Sequence, residues 1–210
     1  YAEKVCLKKS DLLIACSEAL RSELKEMGVN ENKIKVVYNG VSTETFKPLK
    51  KDLNLVKKYG IKDEKVLVYV GRFVKRKGIF YLLEALKQLK DDFKLLIVGV
   101  GETKEFKDII EKYELEDKVI FTGFVNRKDI ARIHSIADIY LIPSLYEGFP
   151  FTMLEAMACG KATIGTDIGG VNEIIRDKEN GLMIDSKDSE QILRSIKKLL
   201  NDPKLLKKLG

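Results

Sequence analysis

The chain has 210 residues, 45% of them hydrophobic and 33% charged, with a net charge of +6, enough apolar mass for one filled core, or a core and part of another, in a soluble globular protein. No apolar run approaches the roughly 18 residues that span a bilayer and no secretory leader pattern opens the chain, while three scattered cysteines (Cys6, Cys16, Cys159) and a single histidine argue against zinc and for free thiols in a reducing, cytoplasmic setting. The positive excess is modest and suits an anionic small ligand or a membrane surface as well as nucleic acid.

Two strand-length apolar runs come first, "LLIACS" (12–17) and "KIKVVYN" (33–39). "NGVSTETFKP" (39–48) then breaks the pattern with turn residues and a proline and reads as a linker. A domain boundary is therefore expected near residue 42, with 1–41 a remnant of another unit and 42–210 a domain of its own. Beyond it, strand candidates at 65–71, 93–99, 118–123, 139–144, 162–167 and 181–186 alternate with helical patterns at 79–90, 103–113, 127–135, 151–159 and 188–201. Several strands are apolar at successive positions, as strands covered on both faces are. The alternation predicts right-handed crossovers and a doubly wound parallel α/β sheet, Rossmann-like, with ligands beyond the carboxyl ends of the strands. Tyr1 in place of a starting Met, and a halt at Gly210 just after a basic helical stretch, make the chain read as a fragment.

The residues that follow the strands carry the chemistry. In "GRFVKRKG" (71–78), Gly71 allows a close turn, Arg72 projects at a strand end and Lys77 stands beside Gly78 where a helix begins. An arginine fork and a lysine point charge at a helix entrance suit a diphosphate; four cations on a solvated loop are the plain alternative, and Lys75 and Arg76 fit that description. "VGVGE" (98–102) lacks the third glycine and the distant acid of a dinucleotide fingerprint and reads as a tight turn.

"LYEGFP" (145–150) is the loop after the strand "IYLIPS", and "FTMLEAMACG" (151–160) the helix it feeds. Pro150 is placed to start that helix and Gly160 to close it. Glu147 falls in the loop and Glu155 about one turn inside the helix, with the free N–H groups between Gly148 and Thr152 and the positive end of the helix dipole aimed at the same crevice. Carboxylates for sugar hydroxyls beside amides for phosphate suit a nucleotide sugar. Paired acids also serve glycosidases, but Arg72 and Lys77 have no part in simple glycoside hydrolysis. Pairing of Glu155 within its own helix is the purely structural alternative. His134 reads as a structural histidine, and Ser144 has no triad around it. "TDIGG" (166–170) is expected to turn into another helix. The basic stretch "ILRSIKKLLNDPKLLKKLG" is either an ordinary surface helix or a point of peripheral attachment to an anionic membrane.

In order and spacing, "GRFVKRKG", "PS" followed by "EGFPFTMLEAMACG", "TDIGGVNEII" and "NGLMI" resemble the retaining GT-B glycosyltransferases of the family-four type, over nearly the whole chain. The resemblance implies the donor-binding half of a two-domain GT-B fold and transfer of a hexose, with retention, from a UDP-, GDP- or ADP-sugar to an unknown acceptor. No metal or other cofactor and no nucleic acid is implied. Arg72, Lys77 and Glu147 match the family's catalytic positions: the cations on the diphosphate and the acid on the sugar. Glu155 matches the ribose ligand, while Gly71, Gly148, Phe149, Pro150 and Phe151 would lie along the donor and Val125 against the base. A nucleotide-sugar epimerase of the same fold and a non-catalytic nucleotide-binding module are the competing readings. Tyr38, Ala162 and Asn172 stand where the family usually has proline, substitutions expected to affect turns rather than contacts.

Overall fold

The computed structural model describes residue 7, residues 9–101 and residues 104–210; Cys6 and Glu102 lie outside them. Strands β1 (Leu13–Ala15) and β2 (Ile34–Val36) pair in parallel as a separate two-stranded sheet. Helix α1 (Glu18–Glu26) connects them, and Ser17 caps it by accepting the Leu20 N–H, satisfying one of the amides a helix start leaves open. Ala15, Leu24, Val29 and Ile34 form this unit's own small core.

Residues 37–48 carry no strand or helix, as a linker should, but Phe46 is buried in the main core at 2% exposure. The connection is therefore anchored. A short helix, α2 (Leu53–Lys58), follows, with the Asp52 carboxylate accepting the Asn54 and Leu55 N–H groups. Sequence periodicity did not announce it, because six residues make less than two turns.

The remaining strands are β3 (Lys65–Val70), β4 (Phe93–Val98), β5 (Val119–Gly123), β6 (Ile139–Ile142), β7 (Ala162–Thr166) and β8 (Leu182–Ile184). They form one parallel sheet in the order β5-β4-β3-β6-β7-β8. The helices are α3 (Ile79–Leu86), α4 (Lys104–Lys112), α5 (Arg127–Ile136), α6 (Phe151–Ala158), α7 (Ser189–Asn201) and α8 (Pro203–Leu209). They cover both faces. Leu67, Tyr69, Leu95 and Ile97 pack with α3, α4 and α7, whereas Val66, Val68, Leu96 and Tyr140 pack with α5 and α6. This two-sided burial explains the unbroken apolar runs, and each such Leu or Val contributes about 1.5–3 kcal/mol to stability by leaving water.

Two expectations need correction. After β7 the chain makes successive turns through residues 169–174 rather than a helix, with Val171 and Asn172 both donating to the Ile168 carbonyl. Pro150 is the residue before the first turn of α6 (φ −74°, ψ 112°) rather than its first helical residue. Gly160 ends α6 in the left-handed region at φ 69°, as expected of a residue beyond a helix C-terminus.

The strand order places the site. From β3 the chain moves outward through β4 and β5, then returns to the other side of β3 at β6. The crevice between the carboxyl ends of β3 and β6 is the switch point where open α/β sheets bind ligands.

Candidate functional site at the sheet switch point

The loops after β3 and β6 are locked together at Gly78. It adopts φ 69°, and a Cβ there would sit 1.8 Å from the Pro143 carbonyl oxygen, so only glycine permits this approach. The Leu145 N–H donates to the Arg76 carbonyl at 2.7 Å, closing the same contact. Lys77 is thereby carried to Glu147: its Nζ donates to Glu147 Oε1 at 2.6 Å, and the Ser144 hydroxyl donates to that oxygen at 2.7 Å. The pair is 18% and 10% exposed, so water screens it little and it holds its geometry better than a surface pair. Ser144 thus serves as a hydrogen-bond donor to this carboxylate.

Glu155 is held separately. Its side chain is 5% exposed and accepts from Arg127 Nε at 3.0 Å. Burial pushes its carboxyl above the usual range, and Arg127 opposes that rise. It pairs across elements, not within its helix. Arg127 opens α5 on the same edge of the sheet and lies over the rings of Phe46 and Phe151 at 6.0 and 5.7 Å. Sequence reasoning missed it; its place in the first turn after a strand's carboxyl end was the available signal.

Each acid thus has its own cation, and in each Oε2 has no protein hydrogen-bond partner among the described residues. Two carboxylate oxygens remain to accept from hydroxyls. The N-termini of α3 and α6 add donors: neither Gly78 nor Pro150 provides a side-chain cap, so their first amides and positive dipole ends are left for an anion.

Arg72 does not join this group. It is exposed, has no acidic partner among the described residues, and its carbonyl accepts from the Tyr69 hydroxyl at 3.0 Å. With Gly71, Val100, Phe124 and Val125 it lines a cavity of about 240 Å³ over the ends of β3 and β4. A neighbouring one of about 410 Å³ shares Arg72 and reaches Phe106. Gly71, Arg72 and Val125 are therefore together in one cavity, which neither of the two acids lines. Phe149 is fixed by the linker: its carbonyl accepts from Asn39 Nδ2 at 2.8 Å and its ring meets that of Tyr38 at 5.0 Å. Tyr38 does make a contact, contrary to expectation, because its ring reaches where proline could not.

His134 is fully buried on α5, its ring edge-on to Tyr140, and burial followed by the nearby Lys161 lowers it to about 4. It is structural. Among the described residues no three His, Cys, Asp or Glu side chains gather as metal ligands, and no helix is long and apolar enough to cross a membrane.

Comparison with known proteins agrees with this geometry. The profile of the glycosyl transferases group 1 family matches residues 52–210 and that of glycosyltransferase family 4 matches residues 1–45. An uncharacterized glycosyltransferase of Methanocaldococcus jannaschii is 32% identical over 198 residues, covering 90% of this chain and 51% of that protein. The N-acetyl-alpha-D-glucosaminyl L-malate synthase of Bacillus anthracis is 31% identical over 209 residues, 97% of this chain and 54% of that protein. Among solved structures, Anabaena HepE in complex with UDP-glucose superposes with a TM-score of 0.92 at 26% identity, over 98% of this chain and 58% of that one. The chain spans about half the length of the curated relatives it matches. A six-stranded parallel sheet flanked by helices is shared with GT-B glycosyltransferase structures, and the chain belongs to the glycosyl transferases group 1 family.

Proposed function

We propose that this chain is the donor-binding part of a retaining hexosyltransferase that takes its sugar from a nucleoside diphosphate. The observation that carries the reading is the pair of separately held carboxylates, Glu147 on Lys77 and Glu155 on Arg127, each with one oxygen left to accept. In this reading Glu147 receives hydroxyls of the sugar and Glu155 those of the ribose. Gly148, Phe149, Pro150 and Phe151 run along the donor, and the base enters the cavity at Gly71 and Val125. Arg72, Lys77 and the open N-termini of α3 and α6 stabilise the departing diphosphate. Placed charge of this kind is the dominant electrostatic contribution to such a transfer. No metal is required by the residues named.

A UDP-sugar is the favoured donor, because HepE was solved with UDP-glucose and nothing at the Val125 cavity argues for a larger base. Residues 1–41 are assigned to the acceptor-side unit and 42–210 to the donor domain. The setting is taken as cytoplasmic, with the lysines of α7 and α8 meeting an anionic membrane face. Calorimetric titration with UDP, GDP and ADP tests the reading. Saturable binding of one nucleotide is expected, weakened about tenfold to a hundredfold in Arg72→Ala and in Glu155→Ala, the worth of a charge-assisted hydrogen bond. No binding of any of the three, or unchanged affinity in both variants, refutes it.

A further inference from the structure

Glu173 lies in the turns after β7, yet its carboxylate reaches a different unit of the chain. It accepts the N–H of Glu18 at 2.8 Å and of Ala19 at 2.9 Å, the first two amides of α1, while Ser17 takes the third. The α1 terminus is thus completely capped, two of its three amides by an acid 155 and 154 positions away. Among the described residues Glu173 has no Lys or Arg ion pair, so the positive end of α1 is its charge partner.

The same turns seat the site loop. A Cβ on Gly170 would lie 2.0 Å from the Gly148 carbonyl oxygen, and one on Gly169 would lie 2.5 Å from the Ala19 Cβ. From the other side, the Tyr146 hydroxyl donates to Glu23 of α1 at 2.9 Å, and Cys16 Sγ lies 3.3 Å from where a Gly148 Cβ would be. The Tyr38 phenol, raised first by partial burial and then by Glu173, stacks on Phe149. Segment 146–149 is therefore held between α1 and the 167–175 turns, and Glu173 ties these two walls together through the Glu18 and Ala19 amides.

We propose that Glu173 is a positioning residue for the donor site: by clasping the N-terminus of α1 it fixes the spacing in which the Glu147–Phe149 loop is held. The proposal rests on the donor-site reading for its consequence, but the clasp is observable without any ligand. Loss of the carboxylate leaves two helix-end amides without an acceptor and removes the hydrogen bonds that join the two walls there. The loop that presents Glu147 and leads into α6 then gains freedom.

Amide hydrogen exchange on the 210-residue chain, without nucleotide, tests the clasp in Glu173→Ala and Glu173→Gln. Exchange is expected to quicken about tenfold at Glu18 and Ala19 in Glu173→Ala, the loss of one cap, and also at Leu145, whose amide donates to the Arg76 carbonyl at the entry to the loop, with Glu173→Gln intermediate because one acceptor oxygen remains. Affinity for the nucleotide that the parent chain binds should fall about fivefold or more in Glu173→Ala and recover in part in Glu173→Gln. Faster exchange confined to Glu18 and Ala19, or a clean exchange result with unchanged affinity, overturns the positioning role. If the parent chain binds no nucleotide, the donor reading has failed and the Leu145 amide alone decides whether Glu173 positions the loop.

Discussion

Part of the destabilisation of this chain by acid should come from one residue. His134 is the single histidine, it is fully buried, and neither ring nitrogen has a hydrogen-bond partner among the described residues. Its pKa is lowered from 6.5 to about 4, first by burial and then by Lys161. The folded state therefore binds fewer protons than the unfolded state between those values, so stability is present above the unfolded pKa and is lost as pH falls. A gap of about 2.5 units corresponds to about 3 kcal/mol in full, of which about 2 kcal/mol is gone by about pH 5. Urea unfolding of the parent and of His134→Phe, followed by circular dichroism from about pH 7.5 to about pH 4.5, isolates this share, because every carboxylate is common to both proteins. The difference between the two stability curves should grow by about 2 kcal/mol toward about pH 5 in favour of the variant. Parallel curves, or an imidazole proton resonance that titrates near its ordinary value, would show that the ring is not held neutral.

Gly78→Ala should lower stability by about 2–4 kcal/mol, combining left-handed backbone strain with overlap on the Pro143 carbonyl, and should weaken nucleotide binding because Lys77 is displaced; an unaltered melting temperature with unaltered affinity speaks against the lock between the two loops. Arg127→Ala leaves the buried Glu155 without its cation. A loss of about 1–3 kcal/mol is expected near neutral pH. It should shrink at lower pH, since a carboxyl with a raised folded pKa is stabilised by protonation; chemical denaturation at two pH values checks the sign, and a loss independent of pH refutes it. Co-sedimentation with vesicles containing anionic lipid should be salt-sensitive and should fall on replacing Lys204, Lys207 and Lys208 by Gln, at about 1 kcal/mol per lysine. Equal recovery with neutral vesicles excludes an electrostatic attachment.

Much of the fold was legible because its signals are local. Continuous apolar runs such as 66–70 report two covered faces, and a helical period such as that of 188–201 reports one buried stripe. Loops that follow strands mark the ligand edge once the sheet is known to be parallel, so Arg72, Lys77, Glu147 and Glu155 could all be named in advance. Their partners could not. Lys77 meets Glu147 across 70 positions and Arg127 meets Glu155 across 28, and these encounters exist because the chain returns from β5 to lie beside β3. Periodicity carries no information about that strand order. Glu173 shows the limit most sharply: in sequence it is an acid in a glycine-rich turn, and only the packing of α1 against that turn makes it the cap of a helix 155 positions away. Local composition selects strands, helices and turns through short-range sterics and burial, whereas the pairing of charges depends on which elements the shared core brings side by side.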